Sequence, residues 1–186
     1  LEIGCGEGYG ITELATRAEQ YFAIDKYNTP ISEELKEKNN IIFKQMEVPP
    51  LKGIDNNSID FVVTFQVIEH INNDELFISV IYRVLKPGGK LILTTPNQLM
   101  SLTRNPWHFR EYTPNQIQEI LQTSFQDIDI KGVFGLEKAM EYYEINKKAV
   151  EKIMRWDIFN LQYLLPNFLL QIPYDILNRK IGRAHV

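Results

Sequence analysis

The sequence predicts an α/β fold, a doubly wound sheet, and three observations carry that expectation. A glycine-rich turn joins a strand end to a helix, apolar runs alternate with helical periodicity down the chain, and polar residues fall at the ends of those runs. Strands alternating with helices imply parallel strands joined by right-handed crossovers, which bring the strand ends to one edge.

The elements follow in chain order. Leu1 to Ile3 reads as the end of a buried strand, and Ile11, Leu14, Ala15 and Ala18 recur on one helical face. Between them Gly4, Gly6, Gly8 and Gly10 occupy every second position, which lets backbone N–H groups approach a ligand closely. Tyr21 to Ile24 is a second strand tipped by Asp25, about 20 positions after the glycines, where a carboxylate suits the two hydroxyls of a ribose. A charged helix is expected over 31–38. A third strand, Ile41 to Met46, ends at Glu47-Val48 and is stopped by Pro49-Pro50. Phe61 to Phe65 is apolar on both faces, as a central strand should be, and Gln66 lies just past it. Asn72 and Glu75 have capping-box spacing before a helix that buries Phe77, Val80, Ile81 and Val84 and ends at Lys86-Pro87-Gly88-Gly89. Leu91 to Thr94 is the fifth strand. Thr113, Pro114 and Gln116 form a full capping box for a helix with Ile117, Ile120 and Leu121 inward. Phe125 to Ile130 alternates as a half-exposed edge strand, and a long amphipathic helix starts near Leu136.

Spacing narrows the ligand. The dinucleotide pattern G-x-G-x-x-G would need glycine at Tyr9 or at Ile11, and the loop has no Gly-Lys-Ser/Thr ending for a triphosphate. What remains is G-x-G-x-G directly after the acid Glu2. An NAD-dependent oxidoreductase is therefore disfavoured, and a catalytically silent cofactor-binding scaffold is the other alternative.

Composition sets the class. The 186 residues suit one domain, with 44% hydrophobic and 24% charged residues as in globular proteins. A net charge of −4 and the absence of a Lys/Arg run argue against a nucleic-acid partner. The single cysteine, Cys5, forbids an internal disulfide and suits a reducing, cytoplasmic compartment. No apolar run reaches the length of a membrane span. A chain that opens with Leu inside a glycine motif is expected to lack its own front.

Four linked motifs carry a family resemblance: Leu1 to Gly10, Phe22-Ala23-Ile24-Asp25, Ser58 to Ile71, and Arg83 to Asn97. Together they resemble class I S-adenosylmethionine-dependent methyltransferases, and most the small-molecule branch with the ubiquinone-biosynthesis O-methyltransferases and bacterial sugar or lipid-precursor methyltransferases. The resemblance covers residues 1–135, which it implies are the cofactor domain, with 136–186 as a helical extension of it. It implies a Rossmann-like sheet of seven strands, mostly parallel, with an antiparallel edge hairpin. It implies S-adenosylmethionine as cofactor and S-adenosylhomocysteine as product. Gly4, Gly6 and Gly8 would lie under the methionine moiety with Glu2 supporting them. Asp25 would hold the ribose, Glu47 with the Val48 backbone would read the adenine, and Gln66 would meet the methionine end.

If the acceptor is a hydroxyl, a base is wanted. His108, in a loop between the fifth strand and the capped helix, is the first choice, and His70, after Glu69, is the second. The bland readings are a packed loop for His108 and a loop-fixing hydrogen bond for His70. His185 lies in a polar tail and is set aside. Cys5 reads as a small filler, and no Cys-x-x-Cys or His-x-x-x-His spacing marks a metal. The apolar stretch from Trp156 to Ile172 is expected to pack on the domain; a homodimer face or contact with a lipid-linked substrate are its other roles.

Overall fold

The structure, a computed structural model, describes residues 1–28, 39–103, 105–154, 166 and 169. It divides into two compact units, one of Leu1–Asn97 and Arg110–Ile128, the other of Gln98–Phe109 and Asp129–Val186.

The first unit is built on a parallel sheet. Its strands are β1 (Glu2–Ile3), β2 (Tyr21–Asp25), β3 (Ile41–Gln45), β4 (Ile59–Phe65) and β5 (Leu85–Thr94), in the order β3-β2-β1-β4-β5. The chain steps outward from β1 to β3, then returns to the other side of β1 for β4. That reversal opens a crevice beyond the carboxyl ends of the strands. The expectation of seven strands with an antiparallel edge hairpin is corrected: among the described residues the sheet has five strands, all parallel. Phe125 to Ile130 forms no strand. Phe125 instead closes the preceding helix, its N–H on Leu121 O at 2.9 Å, and its ring meets Tyr82 edge to face at 5.4 Å. Among the described residues this segment pairs with no strand. The helix expected over 31–38 lies outside the described residues.

Local chemistry explains the element ends. Helix α1 (Tyr9–Leu14) gives way to a 3-10 turn, Ala15–Arg17, sooner than its periodicity predicts. The Asn40 amide donates to both Ala15 O and Ala18 O at 2.9 Å, satisfying carbonyls that a longer helix would have used itself. Helix α2 (Asp74–Val84) is capped by Asn73, one residue later than expected, with its side chain accepting from Leu76 N at 3.0 Å. Its inward residues Phe77, Val80, Ile81 and Val84 are buried as expected. Helix α3 (Pro114–Gln122) starts at the expected box: Gln116 N donates to Thr113 Oγ1 and Thr113 N to Gln116 Oε1. The strand β5 begins directly after α2. Its residues 86–89 leave the ladder between the pairs Ile59↔Leu85 and Phe61↔Lys90, and Lys86 Nζ reaches Asp60 at 2.8 Å beside that excursion.

The two faces of the sheet differ. Ile3, Ile24 and Val62 share a core with Phe77, Ile78 and Ile81 of α2 and Ile117 and Ile120 of α3. Cys5, Ile11, Ala15, Tyr21 and Ala23 form a smaller core beside α1. Phe61 and Phe65, expected to be buried, are 55% and 38% exposed, whereas Val63 between them on the same face is buried. Thr64 is fully buried, and its Oγ1 has no hydrogen-bond partner among the described residues. Removing an unsatisfied buried hydroxyl while keeping the shape removes a desolvation penalty. Thr64→Val is therefore expected to stabilise the fold by about 1 kcal/mol in urea unfolding; a loss of that size would mean the hydroxyl has a partner.

In the second unit, a 3-10 turn at Gln98–Met100 and helix α4 (Glu137–Met154) are tied by Tyr143 Oη, which donates to Met100 O at 3.1 Å. The stretch from Trp156 to Ile172 lies outside the described residues apart from Pro166 and Leu169.

Candidate active site

All the strands of the sheet point the same way, so Gly4, Asp25, Glu47 and Gln66 follow the carboxyl ends of β1, β2, β3 and β4 along one rim. The turn after β1 folds back over the tip of β2. Gly4 N and Cys5 N both donate to Ile24 O, at 2.7 and 3.1 Å, and Gly6 N donates to Asp25 Oδ2 at 2.9 Å. Gly4, Gly6 and Gly8 have φ of 76°, 49° and 89°, in the left-handed region that favours glycine. A Cβ added to Gly6 would meet nothing within 4 Å, so the turn faces open space at that point.

Asp25 does two jobs at once. Its Oδ2 takes the Gly6 N–H and its Oδ1 takes the Tyr27 N–H at 2.9 Å. Each oxygen keeps further acceptor capacity, enough for a pair of neighbouring hydroxyls. Met46 N donates to Asp25 O at 2.7 Å, which brings the segment with exposed Glu47 and half-buried Val48 beside the tip of β2.

Glu2 lies beneath this rim, 3% exposed, its Oε2 accepting from Tyr21 Oη at 2.9 Å. Burial pushes its carboxyl above the usual range, and the Tyr21 hydroxyl partly offsets that. A Cβ on Gly10 would run into the Glu2 carboxylate. Gly10 is thus a close-packing residue that the glycine spacing alone did not single out. Burial, then the charges of Asp25 and Glu2, push the Cys5 thiol up to about 12. A thiol held protonated in this way is no nucleophile, in keeping with the filler reading.

On the other side of β1, Gln66 adopts φ 57°, a left-handed conformation uncommon outside glycine. Its N–H donates to Thr94 O at 3.0 Å and its Nε2 to Thr94 Oγ1 at 3.2 Å. His70 ends the following 3-10 turn, exposed, with its N–H on Val67 O at 2.9 Å. Glu69 beside it is buried and accepts from Thr95 Oγ1 at 3.0 Å, a pair that no spacing rule would reveal. Asp74 gathers the segment that returns after residue 109, accepting from Tyr112 Oη at 2.9 Å and from Arg110 at 3.1 Å.

His108 belongs to the second unit. It closes a turn begun by Asn105, with His108 N on Asn105 O at 3.2 Å, and its Nε2 lies 2.9 Å from Asn105 Nδ2. The Asn105 Oδ1 accepts from Trp107 N at 3.0 Å.

Comparison with known proteins bears on the family and the fold. Residues 1–93 match a family model described as a methyltransferase domain. A probable S-adenosylmethionine-dependent methyltransferase of Mycolicibacterium smegmatis is 34% identical over 140 residues, covering 72% of this chain and 54% of that protein. The mitochondrial ubiquinone biosynthesis O-methyltransferase of Rattus norvegicus is 35% identical over 105 residues, covering 53% and 30%. The crystal structure of the YcgJ protein of Bacillus subtilis superposes with a TM-score of 0.55 at 18% identity, covering 66% and 59%, a likeness of fold. The chain spans about half the length of the mycobacterial relatives it matches.

Proposed function

The chain belongs to the methyltransferase-domain family, and on that premise we propose that it uses S-adenosylmethionine to methylate oxygen of a small molecule or glycan precursor, releasing S-adenosylhomocysteine. The observation that carries the proposal is the hydrogen bond from Gly6 N to Asp25 Oδ2. It ties the glycine turn and the strand-tip carboxylate into one cradle. The open space over Gly6 supports the fit. Similarity to the rat O-methyltransferase supports oxygen as the acceptor atom.

When bound, the cofactor supplies an electrophilic methyl group on a sulfonium. In this proposal Gly4, Gly6 and Gly8 receive the methionine moiety with Glu2 behind them, and Gln66 meets its far end. Asp25 holds the ribose hydroxyls, and Glu47 with the Val48 backbone reads the adenine. Holding the methyl and the acceptor in near-attack geometry then supplies most of the rate gain. His108 is the proposed acceptor-side imidazole and His70 the second. Residues 1–135 are proposed as the cofactor part and 136–186 as its extension. No helix among the described residues is long and apolar enough to cross a membrane; a cytoplasmic site of action is part of the proposal.

Thermal-shift titration tests it. A ligand at 100 times its Kd stabilises its protein by about 2.7 kcal/mol. S-adenosylhomocysteine is expected to raise the melting temperature and NAD to leave it unchanged. The reverse result would return the oxidoreductase reading. Binding of S-adenosylhomocysteine without turnover on any hydroxylated acceptor would favour a silent scaffold.

A further inference from the structure

We infer that Asn105 is a positioning residue for His108, fixing its neutral ring as the tautomer protonated on Nδ1. The inference deepens the reading of His108 as the acceptor-side imidazole, and it rests on that reading for its consequence in turnover.

The argument starts from four consecutive residues, Asn105-Pro106-Trp107-His108. Proline presets φ for the second position of a tight turn, and asparagine at the first position bonds its own backbone two residues on. Both features are present. His108 N donates to Asn105 O at 3.2 Å across the turn, and Trp107 N donates to Asn105 Oδ1 at 3.0 Å. A backbone N–H can only donate, so the side-chain atom facing Trp107 must be the amide oxygen. The orientation of the Asn105 amide is thereby settled by a group that has no alternative role, and Pro106, which is buried, holds the turn that presents it.

With the oxygen committed to Trp107, the atom facing His108 is the amide nitrogen, which can only donate. His108 Nε2, 2.9 Å away, is therefore the acceptor and carries a lone pair. A neutral imidazole has one protonated nitrogen, so the proton sits on Nδ1. The consequence for chemistry is direct. The basic nitrogen, Nε2, is held by the amide N–H, so this tautomer does not present His108 as the base that the sequence suggested, and Asn105 decides which ring nitrogen carries the proton.

The two ring nitrogens of each tautomer have distinct nitrogen-15 shifts, which long-range proton–nitrogen correlation spectra read directly. The three histidines are separated by recording His70→Gln and His108→Gln alongside the full chain. With S-adenosylhomocysteine present, the neutral His108 ring is expected to show the Nδ1-protonated pattern. Asn105→Asp keeps an oxygen for Trp107 N, and so keeps the turn, but turns the second atom from donor to acceptor; His108 is expected to change to the Nε2-protonated pattern. Asn105→Ala removes the constraint and is expected to lose the pure Nδ1 pattern, with cofactor affinity within twofold of the parent in both variants. An Nε2-protonated ring in the parent, or an unchanged pattern in Asn105→Asp, overturns the inference. Failure of the parent to bind S-adenosylhomocysteine would instead count against the methyltransferase proposal, since the spectra can be recorded without it.

Discussion

Asp25→Ala is expected to weaken S-adenosylhomocysteine binding by about 1.5–3 kcal/mol, the range for hydrogen bonds to a charged group, or on the order of ten- to a hundredfold in Kd. The effect has two sources. The ribose would lose its acceptor, and the cradle would lose the bond that shapes it, because Gly6 N and Tyr27 N both end on this carboxylate. Asp25→Asn separates them. It keeps one oxygen for one of the two N–H groups and turns the other acceptor into a donor, so its loss of affinity should lie between the parent and the alanine variant. Isothermal calorimetry reads both, and an Asp25→Ala protein that binds as tightly as the parent would remove this residue from the site.

Gly10→Ala is the second large effect, and its sign goes against propensity. In a helix interior, alanine is ordinarily better than glycine by about 0.8–1.0 kcal/mol, and by less at Gly10, the second residue of α1. Here the added methyl would enter the volume of the Glu2 carboxylate, which is buried and hydrogen-bonded to Tyr21. Overpacking costs typically 1–3 kcal/mol, and a displaced Glu2 would leave Tyr21 Oη without its acceptor, so a net destabilisation of about 2–4 kcal/mol is expected in urea unfolding. Adding Glu2→Asp, one methylene shorter, should recover part of the loss. A neutral or stabilised Gly10→Ala variant would mean that the Glu2 carboxylate moves aside at little cost.

Much of this architecture could be read from residue order. Tyr21–Asp25 declared itself by an apolar run ending in a carboxylate, and Thr113 with Gln116 declared the start of α3, because both signals are local and the physics that sets them is local too. Asn73 replaced Asn72 as the cap for a reason that is not local: two adjacent asparagines offer the same side chain, and only tertiary packing of Phe77 and Ile81 selects the register. Phe125 to Ile130 misled because an alternating pattern states that one side is apolar without stating that a strand lies alongside. The meeting of the glycine turn with Asp25 was legible because spacing encodes it. The rest was hidden where the contact joins residues far apart in sequence, as in Gly10 beneath Glu2, or Glu69 with Thr95. Asn105 was visible in its turn and invisible in its effect on a neighbouring ring, since which amide atom faces His108 is a question of orientation.

The left-handed backbone at Gln66 has a practical consequence. A side chain at that dihedral costs on the order of 1 kcal/mol that glycine would not. A laboratory evolution campaign that selects only for heat resistance should therefore drift toward Gly or Asn at this position, while one that selects for product formation should retain Gln. Deep sequencing of the two pools would show directly whether the conformation is tolerated for its chemistry or is an accident of the chain's path.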